Sequence, residues 1–200
     1  MLHLCKKISL DTFELYFKLG VGHISDLDAF DHILFIIALC VIYEWKDWKR
    51  LIVLVTAFTI GHSITLFLAT LGMIKFESNL IEFLIPLTII ITAANNIRRP
   101  KPPQRGLNIN YLFALFFGFI HGMGFSNFLK AMLGKEESIF QPLLAFNIGI
   151  EVGQLFIVVI FFILSTMVYI FDVSRRDLTI VVSSVILGMS FMLLLEAKYW

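Results

Sequence analysis

"QPLLAFNIGIEVGQLFIVVIFFILSTMVYIF", residues 141–171, decides what kind of protein this is. A helix needs roughly 20 apolar residues to cross the hydrocarbon core of a bilayer, and this run exceeds that, so it tilts or extends past the core. Inside it sits a carboxylate, Glu151, with Asn147 four positions before it and Gln154 three after. Spacings of i, i+4 and i+7 put all three on one helical face. Five more stretches read the same way, at about 28–44, 51–73, 80–97, 111–131 and 178–196. The expectation is an all-α, polytopic membrane bundle of six transmembrane helices. Charged residues are 16% of the chain, against about 25% in a soluble domain. Ahead of the first span, Leu10, Phe13 and Phe17 recur at helical spacing, which predicts a short amphipathic helix lying at the interface. Residues 1–22 are therefore expected as an N-terminal interfacial segment, and 23–200 as a single transmembrane domain. Pro102 and Pro103 divide the spans three and three, without a visible repeat.

Loop charge orients the bundle. Lys46, Lys49 and Arg50 lie in the first loop, Arg98, Arg99, Lys101 and Arg105 in the third, and Arg175 and Arg176 in the fifth. Lysine and arginine concentrate on the cytoplasmic side, so the odd loops are expected inside and both termini outside. Lys6, Lys7 and Lys18 oppose that placement, but five alternating loops outweigh them. The net charge of +1 offers no field for nucleic acid. Cys5 and Cys40 lie far apart and read as structural, and the first twenty residues show no cleavable signal peptide. Trp45 and Trp48 read as part of an interfacial aromatic belt.

Polar residues inside apolar spans carry the functional signal. His62, His121 and Glu151 fall at similar depth on the second, fourth and fifth spans. An ionisable side chain facing lipid is costly, so each should face the bundle interior and a partner. Thr59, His62, Ser63 and Thr65 make a partial stripe on the second span, and Thr88, Thr92, Asn95 and Asn96 another on the third. Asn147, Glu151 and Gln154 make the stripe on the fifth. Together they suggest a hydrophilic track, with Thr59, Ser63, Asn95, Asn147 and Gln154 along its path. A second cluster, "GHISDLDAFDH", residues 22–32, sets His23, Asp26, Asp28, Asp31 and His32 at the outer end of the first span. Imidazole nitrogen with carboxylate oxygen suits nickel, cobalt or zinc, whereas calcium and magnesium take nearly all-oxygen sites. Metal ligands are thus expected at His23, Asp28, Asp31, His32, His62, His121 and Glu151, as an outer entrance and a deeper site. Gly118 and Gly122 beside His121, and Gly149 and Gly153 beside Glu151, are small enough for close helix packing.

"DHILFIIALC" (31–40), "TAFTIGHSITL" (56–66), "LIEFLIPLTI" (80–89), "HGMGFS" (121–126) and "FNIGIEVGQ" (146–154), in this order, resemble the HupE/UreJ family of small bacterial membrane proteins. The resemblance places Asp31 and His32 on that family's first Asp-His pair, His62 on its His-Ser motif, His121 on its His-Gly motif and Glu151 on its Glu-x-Gly-Gln motif. "HISDLDAFDH" is longer than the family's first motif, with Ala29 where a glycine is expected, which leaves His23 open. The resemblance implies a nickel permease, with cobalt also admissible, in a bacterial inner membrane and serving hydrogenase or urease maturation.

The expected function is import of a divalent transition-metal ion, nickel foremost, as substrate, with cobalt or zinc as alternatives. Asp28, Asp31, Glu136 and Glu137 would concentrate cations at the outer mouth. The ion would then pass to His62, His121 and Glu151, held weakly enough to leave again. Expected partners are the metal ion, the bilayer and nickel-enzyme maturation proteins; a homo-oligomer stays open. An intramembrane zinc hydrolase acting on lipid, helped by Ser63 or Ser126, is the alternative in the enzyme class. It lacks an HExxH motif and a nucleophile elbow. A non-transporting metal sensor or docking subunit needs the same ligands as the permease.

Overall fold

Among the described residues of the computed structural model, four helices are long and apolar enough to cross a membrane: Trp45–Thr70, Ser78–Arg98, Phe140–Tyr169 and Arg175–Glu196. The structure describes residues 2–27, 30–74, 76–102, 109–133 and 139–197, and no strand occurs among them. Asp28, Glu136 and Glu137 lie outside the described residues. In chain order the helices are α1 (Leu2–Ile24), α2 (Asp31–Cys40), α3 (Trp48–Thr70, preceded by a 3-10 turn), α4 (Ser78–Arg98), α5 (Ile109–Gly124), α6 (Ser126–Leu133), α7 (Phe140–Tyr169) and α8 (Arg175–Glu196). A helix satisfies its own backbone hydrogen bonds, which lipid cannot do for it. Large apolar side chains such as Leu112, Phe156, Ile163, Val181 and Phe191 stand exposed on the outer faces. A surface of that kind belongs in lipid, and the chain is a membrane protein.

Two of the expected spans differ. The run at 28–44 forms only the ten-residue α2, about 15 Å long and half of the hydrocarbon core. The run at 111–131 is broken at Phe125 between α5 and α6. The expected short interfacial helix is instead the 23-residue α1, packed lengthwise on α7, with Tyr16, Gly20 and Ile24 buried. Glycine makes that packing. The backbone of Phe17 lies against Gly149, and Val21 and Ile24 lie against Gly153, so α1 and α7 run in the same direction. A Cβ at Gly149 would run into the Phe17 carbonyl. The α3–α5 pair repeats the device: Gly61 meets Leu115, Gly118 meets Phe58, and Gly122 meets His62 and Thr65. Small residues drive close helix approach in membranes because lipid offers no hydrophobic force to do so.

The short α2 leaves carbonyls without helical donors at its end, and other helices supply them. Asn96 Nδ2 donates to Ala38 O at 2.6 Å, Thr179 Oγ1 to Val41 O at 3.2 Å, and Arg175 Nη2 to Ile42 O at 3.2 Å. Arg175 also pairs with Glu44, which Lys46 reaches at 2.7 Å. These contacts gather the ends of α2 and α4 and the starts of α3 and α8 at one end of the bundle. Asn96, expected on a polar track, is a cap. Asn96→Leu should leave the buried Ala38 carbonyl unpaired and cost about 1–3 kcal/mol. A thermal melt in detergent that matches wild type would overturn this.

Candidate metal centre

The interruption between α1 and α2 builds the centre. Had the chain stayed helical through residues 25–30, His23 and His32 would be nine positions apart on one rod. Broken there, α1 ends by pointing His23 inward and α2 begins by pointing His32 inward. Their rings lie 4.6 Å apart, centroid to centroid. His121, near the end of α5, brings its ring to 5.0 Å from His32. His62, on α3, stands 6.1 Å from His23 and 6.4 Å from His32. The expected entrance and deeper histidines therefore form one cluster.

Asp31 orients it. Its Oδ1 accepts from the His32 backbone N–H at 2.9 Å and lies 3.0 Å from His32 Nδ1. A carboxylate on one imidazole nitrogen sets the tautomer and frees the other nitrogen as a ligand. Ligand atoms of Asp31, His32 and His121 all lie within 4.8 Å of one another. One ion bonded to all three at roughly 2.0–2.2 Å would draw them to within about 4.4 Å of one another, a small side-chain adjustment.

Six imidazole nitrogens are buried without a hydrogen-bond partner among the described residues. They are His23 Nε2, His32 Nε2 and both nitrogens of His62 and His121. Buried polar atoms are almost always paired, so this concentration of orphans makes the cluster the candidate place for a ligand. Aromatic rings wall it. Phe125 lies 3.8 Å and Phe146 5.7 Å from His23, and Phe35 and Phe58 lie 5.2 and 5.3 Å from His121.

Two clefts reach the cluster. One, at Asp31, is lined by Phe30, Glu82, Ile85, Pro86, Leu193 and Glu196. Pro86, inside α4, has no N–H to donate to the Glu82 carbonyl four residues back. The other opens beside His23, between Lys18, Gly22 and Phe125. Sequence reasoning missed Glu82 and Glu196. Their signal was an acid within a turn or so of a span end, on the side that carries "SDLDAFDH".

Glu151 stands apart. It accepts a hydrogen bond from Thr56 Oγ1 at 2.6 Å, and Thr59 Oγ1 donates to Gln154 Oε1 at 2.9 Å. This is a separate polar layer between α3 and α7. Asn147 donates to Leu143 O, one turn back on its own helix, and leaves its Oδ1 buried and unpaired. Ser63 returns to Thr59 O, Thr88 to Ile85 O and Thr92 to Thr88 O, so these hydroxyls serve their own helices. Asn95 is exposed on a cleft wall with Ile91, Phe113 and Phe117. Ser126, a serine a hydrolase would recruit, donates to Met123 O at 2.9 Å.

Residues 3–199 match the family model described as HupE / UreJ protein. No curated protein and no solved structure matches the chain significantly.

Proposed function

Since this chain belongs to the HupE/UreJ family over nearly its whole length, we propose that it is a membrane permease for a divalent transition-metal ion, nickel foremost and cobalt next. Membership in this family suggests a role in metal supply for hydrogenase or urease. The observation that carries the permease reading is the set of six unpartnered imidazole nitrogens beside the Asp31 carboxylate. Nitrogen donors with one carboxylate favour borderline ions over calcium or magnesium. Asp31, His32 and His121 are the ligands in this reading, with His23 and His62 near enough to join as the ion moves. Glu82 and Glu196, in the Asp31 cleft, raise the local cation concentration at the entrance.

The six crossings of this reading are the four long helices and two interrupted ones, α1–α2 and α5–α6. Both interruptions meet at the centre, through His23 and Phe125. Broken helices around a central ion site are a recurrent transporter device. Lys46, Lys49, Arg50, Arg98, Arg99, Lys101, Arg175 and Arg176 cluster at one end of the bundle, which favours that end as cytoplasmic. Both termini are then outside, in a bacterial inner membrane. Nickel-enzyme maturation proteins are the expected recipients of the ion.

The test is uptake. Purified protein in liposomes should carry Ni2+ to an entrapped metal dye in a saturable manner, with Co2+ competing and Mg2+ ignored. Binding without uptake would favour the sensor or docking role. Neither binding nor uptake would overturn the metal reading.

A further inference from the structure

We propose that Glu151, Thr56, Thr59 and Gln154 form a second cation station, made of oxygen donors alone, that takes the ion after the histidine centre. The proposal rests on reading that centre as a site for a transported ion. Glu151 lies well inside α7, between Phe140 and Tyr169. Among the described residues no cationic group pairs with it, and its hydrogen bond comes from a neutral hydroxyl, that of Thr56. A carboxylate at membrane depth without a counter-charge is unfavourable. An arriving cation relieves that.

The neighbours have the matching chemistry. Thr59 and Gln154 are buried and joined at 2.9 Å. Asn147, one turn earlier on the same face of α7, keeps its Oδ1 buried and without a donor. With Asn147 beside them, the four residues offer a carboxylate, two amide oxygens and two hydroxyls, a hard donor set against the imidazoles of the first centre. Nickel or cobalt would be held more loosely here, as an ion about to leave must be.

Position agrees with sequence of use. Thr56 precedes His62 by six residues on α3, about 9 Å along the axis. Thr59 lies between them. The layer is thus displaced from the histidines toward the start of α3, the end where the basic loops gather, while the Asp31 cleft opens elsewhere. An ion entering past Asp31 would meet nitrogen first and oxygen second.

A competing account makes Glu151–Thr56 no more than an interhelical hydrogen bond. Glu151→Gln separates the two, because glutamine still accepts from Thr56 but carries no charge. Wild type and variant, each in full-length form, would be titrated with Co2+, whose visible absorption reports nitrogen ligation, and assayed for Ni2+ uptake in liposomes. The expected result is an unchanged Co2+ spectrum, affinity within threefold of wild type, and uptake reduced at least tenfold. Glu151→Asp should recover part of the uptake, which a folding defect would not. Uptake in Glu151→Gln within twofold of wild type would overturn the proposal. So would loss of its Co2+ spectrum, since Glu151 would then belong to the first centre. A wild-type protein with no Co2+ spectrum and no uptake would instead remove the permease reading itself.

Discussion

Alanine at His32 is expected to weaken Ni2+ or Co2+ binding by about 100-fold or more, a change of about 2.8 kcal/mol. His32 is the hub of the cluster: it is held by Asp31 and has the rings of His23, His62 and His121 around it. The effect should be graded by geometry. Asp31→Asn and His121→Ala, whose ligand atoms form with His32 a group within 4.8 Å of one another, should approach the same loss. His23→Ala and His62→Ala should lose about tenfold or less. Equilibrium dialysis on the purified variants measures this, and His32→Ala binding within threefold of wild type would sink the assignment. A second arm uses the metal-free protein. His62 buries two nitrogens without partners, and each such group costs about 1–3 kcal/mol. His62→Leu should therefore melt at or above wild type without metal, while losing part of the stabilisation that added metal confers. A site held for function commonly costs the fold stability in this way.

A large structural effect is expected at Gly118. An added Cβ there would collide with the carbonyl oxygen of Phe58 and crowd the backbone nitrogen of His62. Backbone cannot swing aside as a side chain does. Gly118→Val should therefore cost 3 kcal/mol or more, at or beyond the upper end of about 1–3 kcal/mol for overpacking. It should also abolish metal binding, because α3 and α5 carry His62 and His121. Gly188, on α8, has nothing within 4 Å of its would-be Cβ, so Gly188→Val should stay within about 0.5 kcal/mol and bind metal normally. Chemical denaturation in detergent compares the pair. Equal stability of the two variants would mean that α3 and α5 are not held together through this contact.

Much of the architecture is a local property of the chain and was legible as such. Length and hydropathy suffice to mark the runs that became α3, α4, α7 and α8, because a helix in lipid is decided by apolar residues over about 20 positions. The glycines also read correctly as packing positions. The interruption between α1 and α2 did not, since α1 taken alone looks like a surface helix. Its burial depends on Gly149 and Gly153 of a helix more than 120 residues later. Asn96 looked like part of a track because a polar residue on a helix shows its face but not its partner. That partner, a carbonyl at the end of α2, exists only after α2 has stopped early.

The candidate site divides the same way. By itself the sequence determined that ionisable side chains lie in apolar runs and that they are histidines and carboxylates. Those are facts of composition and depth, settled by the cost of charge in lipid. Only the tertiary structure decided which of them meet. The break between α1 and α2 lets two helix ends converge, which joins His23 and His32 to His121 and His62. The rotation of α7 against α3 turns Glu151 to Thr56 instead, because a stripe at i, i+4 and i+7 fixes a direction on one helix and packing alone chooses what stands opposite.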